Sequence, residues 1–294
     1  MIIKIQDEKA SAAIDTLGAQ LISYQDASGK EYIWQRNKNV WAFCSPLLFP
    51  TIGNCRNGRT MIDETWYEIP KHGFCRDADF APTQTSPAEA SFQLSSDERT
   101  LSMYPFAFKL TLTYRLENGE LHMLYQVENL QDSPMPYCLG AHPGFICPME
   151  DGAVFEDYVL ELEKPEHIRS IVYDIPNLQF DVNRSRVTLD GERKIPLTHG
   201  LFNDDAIFFD GLKSRSVSIF HKDSKKGIQV DFPGFETVAF WTMDNPDASF
   251  LCVEPWNGSA IRSDEDDHYE HKKHLQTLGA RETRCHEMTI RILD

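Results

Sequence analysis

Four short stretches of this chain set a proton-transferring side chain among turn formers and aromatics: Lys71-His72-Gly73-Phe74, Gly140-Ala141-His142-Pro143-Gly144-Phe145, Asp204-Asp205-Ala206-Ile207-Phe208 and Val253-Glu254-Pro255-Trp256-Asn257-Gly258. Two imidazoles, carboxylates and flanking rings are what proton transfer on a sugar ring needs: one group to take a proton, another to give it, and apolar faces to hold the ring. Each stretch also reads as a plain turn, because His or Glu beside Pro and Gly is ordinary loop chemistry. Their joint occurrence in this order is the stronger signal.

Within them the residues differ in how much they say. Pro143 removes a backbone donor and fixes the chain direction beside His142, while Gly140 and Gly144 allow close approach of backbone or ligand. Glu254 ends the apolar run Phe250-Leu251-Cys252-Val253, so a strand delivers its carboxylate to the interior, where desolvation raises its pKa toward that of a useful base. The alternative is a salt-bridged strand end. Trp256 offers a platform for a sugar face. His72 is either a hydrogen-bonded structural imidazole or a ligand. Periodicity does not decide which of Asp204, Asp205 and Asp210 points inward, since residues 205 and 210 face opposite sides of a strand.

The stretch 41–58 has an apolar half expected to be buried, then a turn at 53–58 that is either purely structural or brings Asn54, Arg56 or Asn57 to a ligand. His268, His271 and His274 suggest a metal, but on a helix the third lies well round from the first, so no metal site is expected. Ser45, Ser214 and Ser216 lack the G-x-S-x-G elbow, and no phosphate-binding or dinucleotide fingerprint occurs.

The elements that must hold these residues are strands. Residues 109–116 alternate polar and apolar, Glu117-Asn118-Gly119-Glu120 turns, and 121–128 alternate again, which is a hairpin. The same grammar recurs at 216–221 and 228–232 around a Lys-rich turn, and 287–293 makes a closing strand. The pattern predicts an all-β chain, a large antiparallel β-sandwich or a barrel. A helix is expected only over 264–278, where acidic residues precede Lys272, Lys273 and His274.

With 294 residues, 41% of them hydrophobic, the chain can bury one large core, and no linker, repeat or low-complexity tract marks a boundary; a single domain over 1–294 is expected. The formal charge of -16 argues against nucleic acid or anionic membrane as partner. Neutral ligands remain open, and an anionic one needs a local basic patch. Seven irregularly spaced cysteines without a CxxC pair suit a reducing cytoplasm. No apolar leader opens the chain and no run of roughly 18 apolar residues occurs.

The motif order resembles the aldose 1-epimerase (galactose mutarotase-like) family, and within it the LacX-like branch. It runs almost end to end, from Leu17-Gly18-Ala19-Gln20 and Glu31-Tyr32-Ile33-Trp34 through Leu48-Phe49-Pro50, His72-Gly73-Phe74-Cys75-Arg76-Asp77, Gly140-Ala141-His142-Pro143 and Leu212-Lys213-Ser214-Arg215 to Glu254-Pro255-Trp256. The resemblance implies a galactose mutarotase-like supersandwich and cofactor-free interconversion of sugar anomers. His142 would be the general acid, Glu254 the general base, His72 an orienting ligand and Asp205 a sugar-binding carboxylate. Arg56 is a weaker match, because the family's Gly-Arg or Asn-Arg turn reads Gly53-Asn54-Cys55-Arg56 here. The implied roles require an ionised Glu254 beside a protonated His142. Burial should raise the first pKa and the neighbouring carboxylate the second, giving a bell-shaped pH profile with the carboxylate on its acid limb. A free aldose is the expected partner, for a monomer or homodimer without metal. A hexose 6-phosphate and a non-catalytic carbohydrate-binding role are the alternatives. A two-carboxylate glycosidase fits less well, since the best partner for Glu254 is a His.

Overall fold

A computed structural model describes residues 1–245 and 247–293. The hairpin read from sequence forms as Phe108–Glu117 and Glu120–Asn129, with Glu117 paired to Glu120. Asn118 and Gly119 turn with φ of 55° and 89°, the two-residue geometry that Asn-Gly favours. Strict alternation puts Leu110, Leu112, Tyr114 and Leu116 on one face with Leu121, Met123, Tyr125 and Val127, all buried. That face belongs to a nine-stranded antiparallel sheet that also contains Ser216–His221, Gly227–Asp231 and the closing strand Thr283–Leu293.

A second, eight-stranded sheet packs against it. Its centre is Phe250–Asn257, flanked by Thr237–Trp241, then Ile207–Asp210, and on the other side by Leu139–Ala141 and Gly144–Ile146. Register places Ile207, Phe240 and Val253 in one row and Phe209 with Val238 in the next. These rows face the first sheet, and one core cluster runs between the sheets from Ile5 to Ile290. The opposite face carries Phe208, Ala239, Glu254 and Trp256, where a smaller cluster forms with Leu48, Tyr173 and Phe180. The central strand is therefore buried along all of its length.

The all-β antiparallel sandwich is thus observed, but the helix expected over 264–278 is not. That stretch holds a single turn at Tyr269–His271 and a short strand at Gln276–Leu278. It has no apolar stripe to bury, and its polar side chains instead tie loops together: His271 to Asp266, His274 to Glu236 and Asp210. Among the described residues, no helix is long and apolar enough to cross a membrane.

Candidate active site

The outer face of the eight-stranded sheet floors a cleft of about 350 Å³. Its two central residues are brought together by strand register. Leu139 and Gly140 pair with Asn257 and Trp256, and Gly144 to Ile146 pair with Cys252 to Phe250. Both segments keep the same register on one strand, so His142 lies directly opposite Glu254. The interval between them has little ladder, because Pro143 has no N–H; its carbonyl accepts from the Val253 N–H at 3.1 Å. His142 Nε2 lies 3.1 Å from Glu254 Oε2, and both residues are buried.

The glycines of the His142 segment make room for the cleft's walls. A Cβ on Gly140 would stand 2.6 Å from Trp256 Cδ1, and one on Gly144 would stand 2.7 Å from Trp41 Cζ3. Only glycine lets both indoles approach. Trp41 stacks on the His142 ring with centroids 5.1 Å apart, and Trp241 meets the same ring edge-on at 5.7 Å. Trp256 lies against Phe208 and Phe180, and its buried Nε1 has no hydrogen-bond partner among the described residues.

His72 approaches His142 edge-on at 5.7 Å. Its backbone is left-handed, with φ of 66°, and Gly53 pins it from both sides. The His72 N–H donates to the Gly53 carbonyl at 2.8 Å, and the Gly53 N–H donates to His72 Nδ1 at 3.1 Å. An Nδ1 that accepts fixes the neutral tautomer with its proton on Nε2, free to donate to a ligand. Burial, and then the neighbouring His142, holds the His72 pKa well below the ordinary value.

Asp205 also lines the cleft with a left-handed backbone, φ 70°. Burial raises its pKa, although Lys71 and the Ala206 N–H act the other way. Its neighbours have other duties: Asp204 pairs with Arg186, and Asp210 with Arg262. Of the predicted site residues, His72, His142, Asp205, Glu254 and Trp256 therefore share one cleft.

Arg56 does not join them. Its guanidinium donates to the carbonyls of Arg262 at 3.3 Å and Glu265 at 3.0 Å and lies 3.5 Å from Asp267, so it fastens the loop behind the cleft. Asn54 donates to the Tyr173 hydroxyl at 3.1 Å and steadies a wall; of the 53–58 turn only Gly53 lines the cleft. The apolar half of 41–58 is buried only from Cys44 onward, because Trp41 and Phe43 face the cleft. The cleft's cations are Lys38, Lys71 and Arg76. Lys71 and Arg76 flank His72 in sequence, which was the available signal; Tyr173, Phe180 and Trp241 had none.

The electrostatics of the pair differ from the sequence expectation. Burial, then Asp205, pushes Glu254 well above the ordinary carboxyl range, as expected. Burial also pushes His142 down, to about 3, with Lys71 and Arg76 adding to the fall. The expected rise does not occur because a carboxyl that keeps its own proton exerts no negative field on its neighbour. The pair thus holds one proton over a wide pH range, and burial favours the neutral carboxyl with the neutral imidazole.

The chain superposes on the galactose mutarotase related enzyme of Lactobacillus acidophilus with a TM-score of 0.91 at 28% identity, covering 100% of this chain and 98% of that one. For a galactose mutarotase-like protein of Lactobacillus casei ATCC 334 the TM-score is 0.89 at 26% identity, with both chains fully covered. The chromosomal LacX protein of Lactococcus lactis subsp. lactis is 32% identical over 301 residues, the whole of both chains, and its plasmid counterpart is equally similar. Residues 1–276 match the family described as aldose 1-epimerase. With such a match over nearly all its length, the chain belongs to the aldose 1-epimerase family.

Proposed function

We propose that this protein interconverts the α and β anomers of a free aldose without a cofactor. The observation that carries the proposal is the buried cross-strand pair of His142 and Glu254, 3.1 Å apart in an aromatic-walled cleft. Ring opening needs the anomeric O1–H proton removed and a proton delivered to the ring oxygen O5. Glu254 takes the first and His142 gives the second. The C1–C2 bond then rotates, and closure on the other face of C1 returns both protons.

One proton passing between carboxyl and imidazole separates the ion pair needed for opening from the neutral pair that opening leaves behind. Burial favours the neutral pair, so the cleft is biased toward the state that accompanies the open chain. In this reading His72 Nε2–H and the Asp205 carboxyl hydrogen-bond ring hydroxyls, and Trp41, Trp241 and Trp256 supply apolar faces; all five residues line the cleft.

One observation favours a second reading, in which the sugar carries a 6-phosphate. In a chain of net charge -16, three cations gather at the cleft, and the buried Arg76 Nε has no hydrogen-bond partner among the described residues, lying 3.5 Å from Asp77. The test is a survey of anomer exchange, by polarimetry or NMR saturation transfer, over free and phosphorylated aldoses. Exchange on unphosphorylated sugars is expected; exchange confined to phosphorylated ones would establish the second reading, and none on any sugar would leave a binding protein.

A further inference from the structure

The sheet face that presents Glu254 also presents Cys252, and the acid–base reading leaves this thiol unused. A His142 ring nitrogen, Cys252 Sγ and a Glu254 carboxylate oxygen all lie within 4.8 Å of one another, and all three residues are buried. Register is again the cause. Cys252 sits opposite Gly144, which offers no side chain to cover the sulfur; a Cβ there would be 3.4 Å from Sγ. His142 and Glu254 reach the same spot from the next cross-strand position.

We propose that His142, Cys252 and Glu254 form a binding site for a thiophilic divalent transition ion of the zinc type, and that its occupation switches the acid–base pair off. A tetrahedral zinc ion takes nitrogen, oxygen and sulfur ligands at about 2.0–2.3 Å, which sets the ligand atoms roughly 3.3–3.8 Å apart. The His142–Glu254 edge is already 3.1 Å, so the sulfur needs to close by at most about 1–1.5 Å. His142 and Glu254 both line the cleft, so an ion held here would take its fourth ligand, water or a sugar hydroxyl, from that side.

Charge balances as well as shape. The thiol proton and the proton held by the pair leave to solvent, no electron moves, and one thiolate with one carboxylate neutralises a 2+ ion, as a buried site requires. The sulfur selects against magnesium and calcium, which prefer all-oxygen shells. An ion so held occupies the lone pairs through which the pair would exchange protons. The loss of activity rests on the epimerase reading above; the binding itself does not.

The test uses the full chain with Cys285→Ser, which removes the exposed thiol. Titration with cobalt(II) should give a thiolate-to-cobalt charge-transfer band that saturates at one ion per chain and is displaced by zinc. In parallel, zinc should abolish anomer exchange, magnesium should not, and a chelator should restore the basal rate without raising it further. Cys252→Ser and Cys252→Ala should keep basal exchange while lifting the zinc concentration for half-inhibition at least about tenfold, the loss of about 1.4 kcal/mol of binding. Absence of the cobalt band, or Cys252 variants as sensitive to zinc as the parent, overturns the proposal. If no sugar is turned over, the catalytic reading fails on its own, and the cobalt band still decides the site.

Discussion

Two histidine–carboxylate contacts in this molecule have opposite electrostatics. His142 faces Glu254 at 3.1 Å, and burial drives the imidazole down and the carboxyl up. His274 contacts Asp210 and Glu236 at the ends of two inner strands of the same sheet; there the imidazole pKa is raised and Asp210 falls to about 2. The difference lies in the surroundings. Asp210 also holds Arg262 at 2.7 Å, and its hydrogen bonds to His274 and Arg262 outweigh partial burial. Glu254 has no such cation hydrogen-bonded to it; after burial, the largest influence on it is another carboxylate, Asp205, which Lys71 only partly opposes. A short His–carboxylate distance therefore does not by itself mark out a pair able to exchange a proton; what distinguishes His142 and Glu254 is a dry setting with no cation hydrogen-bonded to the carboxyl.

The largest effect should separate the two contacts by rate. Glu254→Gln and His142→Asn are each expected to lower turnover at least about a hundredfold with sugar binding changed only a few-fold, the scale of general acid–base catalysis. His274→Asn should leave turnover within about twofold, since it touches neither cleft nor pair. Anomer exchange by saturation transfer, with circular dichroism to verify folding, reads both. Near parental exchange in either pair variant would remove the proposed roles.

Next in size is the cleft's cation cluster. If Arg76 receives an anionic group, Arg76→Ala should raise KM for a hexose 6-phosphate about tenfold, the usual cost of one charge-assisted hydrogen bond, and leave KM for the free sugar within about twofold. Equal changes for both sugars would mean that Arg76 only shapes the wall through Phe43, over which its guanidinium lies at 5.0 Å.

The sheet was legible because alternation is a local signal: the 108–129 hairpin and its Asn-Gly turn formed within a residue or two of where the pattern put them. Five of six proposed site residues line the cleft. What could not be read was the pairing itself. That Gly140-Ala141-His142-Pro143-Gly144 lies against Cys252-Val253-Glu254-Pro255-Trp256 is a contact over more than a hundred residues, and the prolines hide both segments from a strand pattern. Arg56 failed because an arginine after a turn finds backbone carbonyls as readily as a ligand. The 264–278 stretch failed because its charge order suited a helix dipole while its side chains had loop partners instead. The His142 shift failed because a sequence shows a neighbouring carboxylate but not whether it is dry enough to stay protonated.

The pH profile sharpens the comparison further. Over the range in which the pair holds one proton, kcat/KM should be flat. Adding a second proton, at the His142 site, sets the acid limb near pH 3, and losing the shared proton, which burial places on Glu254, sets the alkaline limb. With a chelator present throughout, residual activity of Glu254→Gln should lack the alkaline limb and that of His142→Asn the acid one. This inverts the assignment drawn from sequence. Loss of the alkaline limb in His142→Asn instead would mean that the imidazolium survives burial.

The smallest expected effect belongs to the second contact and appears in stability. Asp210 is depressed in the fold, so its contribution is full above its unfolded pKa of about 3.9 and lost as pH falls through about 2. His274 is raised, so its contribution is full below its unfolded pKa of about 6.5 and lost as pH rises through the higher folded value. Both terms are complete only between about pH 4 and 6.5. The groups facing the imidazole are Asp210 and Glu236, with Arg262 on the far side of Asp210 and Gln276 beside Glu236. Removing the cation with His274→Asn should therefore lower Tm by about 1.5–2 °C near pH 5.5, the consequence of roughly 1 kcal/mol in a chain of this size. The gap should close as pH rises past the folded pKa, where the parental imidazole is neutral too. Thermal unfolding of both proteins across pH 4–9 measures it, and a gap that widened toward alkaline pH would show that His274 is uncharged in the fold and that the two contacts are alike after all.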